Sequence, residues 1–195
     1  MSSTPILPTA EPAEVGLSAQ RLDCLRLVLQ SEIDRQRLPG AVALIARHGR
    51  IALFEALGQQ DPAAGTPMAR DSLFRIYSMT KPVVSVAVMM LLEQGRLLLS
   101  DPVSKYLPEY AQQQLAVERH GSLELQPVTP GATVQDLLRH TAGLTYEFLG
   151  LSAVQRQYGA ARIGSRERSN AEFSQALAAL PLMAQPGSVW EYSRA

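Results

Sequence analysis

The chain has 195 residues, 46% of them hydrophobic, with 18 basic and 18 acidic side chains, so its formal net charge is zero. That length admits one large domain or two small ones; the hydrophobic content is ordinary for a globular protein, and balanced charge gives no electrostatic footprint for nucleic acid or an anionic membrane. A single cysteine, Cys24, excludes an intramolecular disulfide and a cysteine-based metal cluster.

The first residues, Met1 to Ser18, lack a basic start followed by an apolar core. No signal peptide is therefore expected and the cytoplasm is the expected compartment. Residues 1–17 read as an extended, proline-containing lead-in. Ser18 caps a helix expected over 18–37, with Leu22, Leu25, Leu29 and Ile33 as its apolar face. Cys24 lies among these leucines and reads as a packed thiol. Leu38-Pro39-Gly40 breaks the helix. Ala41 to Ala46 and Ile51 to Leu57 read as two strands of a hairpin, joined by Arg47-His48-Gly49-Arg50, with His48 an exposed turn residue. Residues 58–72 are expected to be a loop, with Asp61-Pro62 and Gly65-Thr66-Pro67 as its turns.

Next comes Phe74-Arg75-Ile76-Tyr77-Ser78-Met79-Thr80-Lys81-Pro82 at the head of an apolar run from Val83 to Leu92. The run is too short to span a membrane and reads as a helix ending at Gly95. A helix starting near Ser78 puts positions 78 and 81 on one face, a turn apart, so Ser78 Oγ and Lys81 Nζ can meet. A serine hydroxyl is a poor nucleophile without a neighbouring base. A lysine serves only when neutral, a form favoured by burial in an apolar helix and by the positive end of the helix dipole. A lone S-x-x-K also arises by chance. Two facts argue for chemistry here: Lys81 is one of two lysines among sixteen arginines, and arginine cannot act as a base.

After this helix, Asp101-Pro102-Val103 starts a short helix that stops near Leu107-Pro108. Residues 111–131 read mostly as loop, with short strands around Leu123 and Val128. Thr133-Val134-Gln135-Asp136 looks like a capping box opening a short helix to His140, which Thr141-Ala142-Gly143-Leu144 ends. Residues 150–164 lean helical. Asn170 to Leu180 reads as a helix with Phe173, Ala176, Leu177 and Leu180 inward, and Pro181 to Val189 as a loop. The sequence has no G-x-S-x-G elbow, H-E-x-x-H, G-x-G-x-x-G or P-loop, which disfavours an α/β Ser-His-Asp hydrolase. His120 and His140 have no evident serine partner; His140 is expected to fix its Thr-Ala-Gly turn through hydrogen bonds.

Four stretches, in order and along nearly the whole chain, resemble the serine β-lactamase-like hydrolases: class C β-lactamases, family VIII carboxylesterases and related penicillin-binding-protein-like enzymes. They are Phe74 to Pro82 (the nucleophile motif), Asp101-Pro102-Val103-Ser104-Lys105-Tyr106-Leu107-Pro108, Leu137-Leu138-Arg139-His140-Thr141-Ala142-Gly143-Leu144, and Pro186-Gly187-Ser188-Val189-Trp190-Glu191-Tyr192-Ser193. The resemblance implies an α+β fold, an antiparallel sheet flanked by helices plus an all-helical region. Residues 1–60 would supply the first helix and hairpin of the sheet domain, and 61–195 a mainly helical region carrying the nucleophile helix. It also implies that Ser78 is acylated, that Lys81 is its proton partner and that Tyr192 is a second base, with the Ser78 backbone N–H in the oxyanion hole.

The sequence departs from the family pattern in two ways. Class C enzymes carry Tyr-x-Asn where this chain has Arg194, which favours an ester over a β-lactam. The family's third motif lies on a later strand, so the chain is expected to be the N-terminal half of a longer enzyme or a truncated product, with an incomplete sheet and without full activity alone. The expected function is an esterase acting through an acyl-enzyme on small-molecule esters, amides or β-lactams, with no cofactor or metal and no nucleic-acid or membrane partner. The alternatives are a β-lactamase, a D-amino-acid peptidase, an acyltransferase or a non-catalytic penicillin-recognising binding protein.

Overall fold

Two left-handed residues build the first hairpin. His48 (φ 53°) and Gly49 (φ 70°) make a two-residue turn whose twist suits the flanking strands, and His48 is exposed as expected. The turn joins β1 (Gly40–Arg47) to β2 (Arg50–Asp61), paired antiparallel from Gly40↔Gly58 to Arg47↔Arg50 with a bulge between Ile45 and Ala46. These coordinates are a computed structural model that describes residues 7–119 and 122–195; His120 lies outside the described residues. The chain divides into two compact units, Met1–Ile76 and Tyr77–Ala195.

In the first unit, residues 58–72 are less irregular than the sequence suggests. β2 runs on to Asp61 and pairs with a short β3 (Thr66–Pro67). Asp61 causes the reversal: its carboxylate accepts the backbone N–H of Ala63 (3.0 Å) and of Ala64 (3.2 Å), which closes a local turn. The Ser18 hydroxyl accepts the Arg21 N–H (3.4 Å) and caps α1 (Ala19–Asp34). Leu22 is buried and Leu25, Leu29 and Ile33 are half-buried along one face. Cys24, expected to be packed, is exposed. It follows Leu22 by two positions, which places it roughly 200° around the helix, off the covered face.

In the second unit the apolar run forms α2 (Thr80–Glu93), and Gly95, at φ 66°, ends it by donating to the Leu92 carbonyl (2.9 Å). The helix is apolar but covered on one side only: Val88, Leu91 and Leu92 are half-buried, while Val83, Val84, Val86 and Met90 are exposed. A helix buries only what another element covers, and Lys81 at its start is half-buried. Short 3-10 turns follow at Val103–Lys105 and Pro108–Gln112.

The stretch expected to be mostly loop is a regular hairpin, β4 (Gln114–Arg119) with β5 (Ser122–Pro127), paired from Gln114↔Pro127 to Arg119↔Ser122. It is anchored to the core by Leu182, whose N–H donates to the Gln114 carbonyl (2.8 Å) and whose carbonyl accepts the Ala116 N–H (3.0 Å). Three capping boxes start the remaining helices: Thr133 with Asp136 at α3 (Val134–Arg139), Ser152 with Gln155 at α4 (Ala153–Ala160) and Ser169 with Glu172 at α5 (Asn170–Ala178). Each pair satisfies two orphan N–H groups reciprocally. Leu144, Val154, Tyr158, Ile163, Leu177 and Leu182 form the core of this unit, with Phe173, Ala176 and Leu180 packed on it as the α5 periodicity predicts. Among the described residues, no helix is long and apolar enough to cross a membrane.

Candidate active site

Ser78 stands in a 3-10 turn, Tyr77–Met79, directly before α2. The residue before it, Tyr77, has φ 46°. Left-handed backbone at a bulky side chain costs about 1–3 kcal/mol and persists only where the surroundings enforce it. Here it turns the irregular incoming segment into the helix at the serine. Ser78 is exposed and Lys81, one turn on, is half-buried.

The stretch from Trp190 brings Tyr192 to the same place. The Ser78 hydroxyl, followed by the positive charge of Lys81, holds the Tyr192 phenol below its ordinary pKa against the opposing effect of desolvation. Lys81 Nζ lies 5.1 Å from the centre of the Tyr192 ring and donates to the Tyr146 hydroxyl at 3.3 Å. The structure therefore groups all three residues singled out from sequence, Ser78, Lys81 and Tyr192. It adds a fourth, Tyr146, whose ring centre is 5.6 Å from that of Tyr192.

The capping box of α3 is where this arrangement begins. Asp136 accepts the Thr133 N–H (2.9 Å) and the Thr141 hydroxyl (2.7 Å), fixing both ends of the short helix. The chain then leaves through His140, left-handed at φ 57°, and Gly143 at φ 79°. Only glycine fits at 143, because a Cβ there would collide with the Ala184 carbonyl. His140 does more than shape its own turn. Its carbonyl accepts the Glu191 N–H (2.9 Å) and its Nδ1 accepts the Ser193 N–H (3.3 Å), so it grips the residues on both sides of Tyr192. The imidazole also packs against the Tyr192 ring, centres 4.8 Å apart. Burial, then the Lys81 charge, lowers the His140 pKa, which favours the neutral ring that can accept at Nδ1. Glu191 is fixed from the other side by the buried Thr145 hydroxyl (2.5 Å).

Arg194, the departure from Tyr-x-Asn, pairs with Glu147 through Nε (3.2 Å) and Nη2 and lies over the Tyr146 ring, 4.7 Å from its centre. Burial disfavours the Glu147 carboxylate, but the Arg194 hydrogen bonds outweigh it and keep the group below the usual carboxylate range. Sequence reasoning missed Tyr146 and Glu147. The available signal was an aromatic and an acid directly after the His140 to Leu144 stretch. Beside Ser78 lies an open cleft of about 530 Å³, walled by Tyr146, Phe148, Ile163 and Phe173, with Arg194 also lining it.

Residues 25–195 match the family model described as Beta-lactamase. Esterase EstB of Burkholderia gladioli is 40% identical over 197 residues, which cover 100% of this chain and 47% of EstB. The solved structure of EstCE1, described as a hydrolase with promiscuous acyltransferase activity, superposes with a TM-score of 0.68 at 34% identity, over 88% of this chain and 43% of EstCE1. Simvastatin synthase (LovD) from Aspergillus terreus superposes with a TM-score of 0.70 at 25% identity, over 90% of this chain and 45% of LovD. The chain spans about half the length of the curated relatives it matches. With its α+β architecture and a family match running from residue 25 to 195, the chain belongs to the Beta-lactamase family.

Proposed function

We propose that Ser78 is the nucleophile of an esterase that works through an acyl-enzyme, with Tyr192 as the base and Lys81 as the cation that sustains it. The observation that carries this reading is the grouping of Ser78, Lys81 and Tyr192 on one cleft, with Lys81 Nζ 5.1 Å from the centre of the Tyr192 ring; the Ser78 hydroxyl and the Lys81 charge both act to lower the pKa of the phenol. A phenol is a base only as phenolate, and its reference pKa of about 10 must fall for that form to be populated near neutrality.

Ser78 Oγ attacks the ester carbonyl carbon as its proton passes to the Tyr192 oxygen. The oxyanion is met by the Ser78 backbone N–H, a donor of a kind typically worth about 2.7–4 kcal/mol. The tetrahedral intermediate expels the alkoxide, which takes the proton from Tyr192 and leaves as the alcohol. Water then repeats the sequence on the acyl-enzyme, giving up its proton to Tyr192 and releasing the acid and free Ser78. Similarity to EstB and EstCE1 supports a small-molecule ester as substrate.

To test this reading, the full-length gene product is treated with a fluorophosphonate and the adduct mapped by mass spectrometry. A single adduct on Ser78, abolished in Ser78→Ala, is expected; an adduct elsewhere, or none, overturns it and favours a binding role. A second reading, transfer of the acyl group to an alcohol, is supported by the likeness to EstCE1 and LovD. It shares the acyl-enzyme and differs in the acceptor, so a transesterified product formed when an alcohol is added distinguishes it. Labelled β-lactams and D-peptides test the remaining family chemistries on the same serine.

A further inference from the structure

The charge in the Ser78 cleft is one-sided. Lys81, Arg166 and Arg194 line it, and among the described residues no carboxylate does. Two of the three cations have stated tasks: Lys81 stands at the two tyrosines and Arg194 is neutralised by Glu147. Arg166 differs, since among the described residues no acid pairs with it. Its guanidinium is held in place all the same. It donates to the Tyr77 hydroxyl (3.2 Å) and lies 5.5 Å from the centre of that ring. The loop carrying it is pinned by Arg168, which donates to the carbonyls of Arg162 (2.6 Å) and Ala161 (2.9 Å). A guanidinium has five N–H donors in a fixed fork that matches a carboxylate, and the bond to Tyr77 leaves most of that fork available.

We propose that Arg166 is a specificity-determining residue that binds a carboxylate, so that the preferred esters of this site are monoanions. This rests on the acyl-enzyme reading of Ser78. The cleft suits such a molecule: the ester carbonyl at Ser78, an apolar segment along Phe148, Ile163 and Phe173, and an acid group at the mouth. The acid can belong to the acyl part or to the alcohol part, and the two are separable by experiment.

Two substrate pairs serve as probes, each an acid and its methyl ester. The first is 4-nitrophenyl hemiglutarate with methyl 4-nitrophenyl glutarate, which places the charge on the acyl side. The second is 4-butyryloxybenzoate with methyl 4-butyryloxybenzoate, which places it on the alcohol side. The readout is the ratio of kcat/KM for acid over methyl ester within a pair. In Arg166→Gln that ratio should fall about fivefold for one pair, as expected for a partly solvated ion pair, and further in Arg166→Glu. Arg166→Lys should retain part of it, and added salt should lower the wild-type ratio. If Arg166 only supports Tyr77, both members of a pair change together and the ratio stays put. A ratio unchanged in both pairs in Arg166→Gln and Arg166→Glu, while Ser78 still labels with fluorophosphonate, overturns this inference alone. Loss of labelling at Ser78 and of all ester turnover in the unsubstituted protein overturns the acyl-enzyme reading and this inference with it.

Discussion

Tyr192 is subject to opposing influences: partial desolvation disfavours its phenolate, and the Ser78 hydroxyl and Lys81 charge favour it. Its removal should therefore be read in the chemical step. Tyr192→Phe should lower kcat by about 10²–10⁴-fold, the usual range for a positioned acid–base group, with a smaller change in KM, measured with a 4-nitrophenyl ester. The profile of kcat/KM should rise with pH to a plateau as the phenolate forms, with a midpoint below the ordinary phenol value. Lys81→Met should move that midpoint upward, because the loss of a neighbouring positive charge raises the phenol pKa. Burial, helped by the same charge, acts on His140 in a direction that affects stability. Its folded pKa lies below the ordinary 6.5, so the unfolded chain binds more protons between the two values and stability rises with pH there. The His140 contribution should be complete above about pH 6.5 and should be lost as pH falls through the folded value. Urea midpoints followed from pH 7.5 to 5 in native and His140→Asn protein should converge toward the acid end. At this scale the sequence was partly legible. The spacing of Ser78 and Lys81 is local, and the Tyr192 motif came with the family pattern. Tyr146 was not legible, because its meeting with Lys81 joins positions 65 apart through a fold that no local pattern encodes. Arg166 likewise acquires meaning only from having no ion-pair partner among the described residues, a fact of the fold and not of local sequence.

Three helices of the second unit, α3, α4 and α5, share one device, a hydroxyl at the cap answered by a side chain three residues later. Thr133 with Asp136 stood out in the sequence because both side chains and the turn residues that follow are local. The β4/β5 hairpin did not, because the apolar run Leu115-Ala116-Val117 breaks the alternation of β4 and its pairing to Leu182 is long-range. The α3 box carries an additional duty: it sets the exit of the chain into His140 and, through His140, the position of Tyr192. Thr133→Ala should cost about 1 kcal/mol, the common value for a lost N-cap, seen as a lower thermal midpoint. Asp136→Ala should cost more, because one carboxylate accepts from the Thr133 N–H, the Thr133 hydroxyl and the Thr141 hydroxyl. Both substitutions should lower kcat as well as stability, since they loosen the stretch that holds the phenol.

At the scale of the whole chain, the two units depend on different materials. The first is a hairpin with a helix, the second a packed core to which Leu182 contributes a fully buried side chain and two backbone hydrogen bonds into β4. Leu182→Ala should destabilise the second unit by about 2–5 kcal/mol, the range for a leucine cavity, as measured by urea unfolding followed by the fluorescence of Trp190, the sole tryptophan. The class of fold was legible from four motifs in order. The exposure of α2 and of Cys24 was not, because apolar content shows which residues favour burial but not whether another element covers them. Cys24 is the only thiol in the sequence and it faces solvent on α1. A maleimide dye should therefore attach at one address in the first unit, with no background to remove. A second cysteine introduced at Ser122, the exposed first residue of β5, would take a partner dye, and resonance energy transfer between the two would report in solution how far apart the units sit and whether substrate changes that spacing.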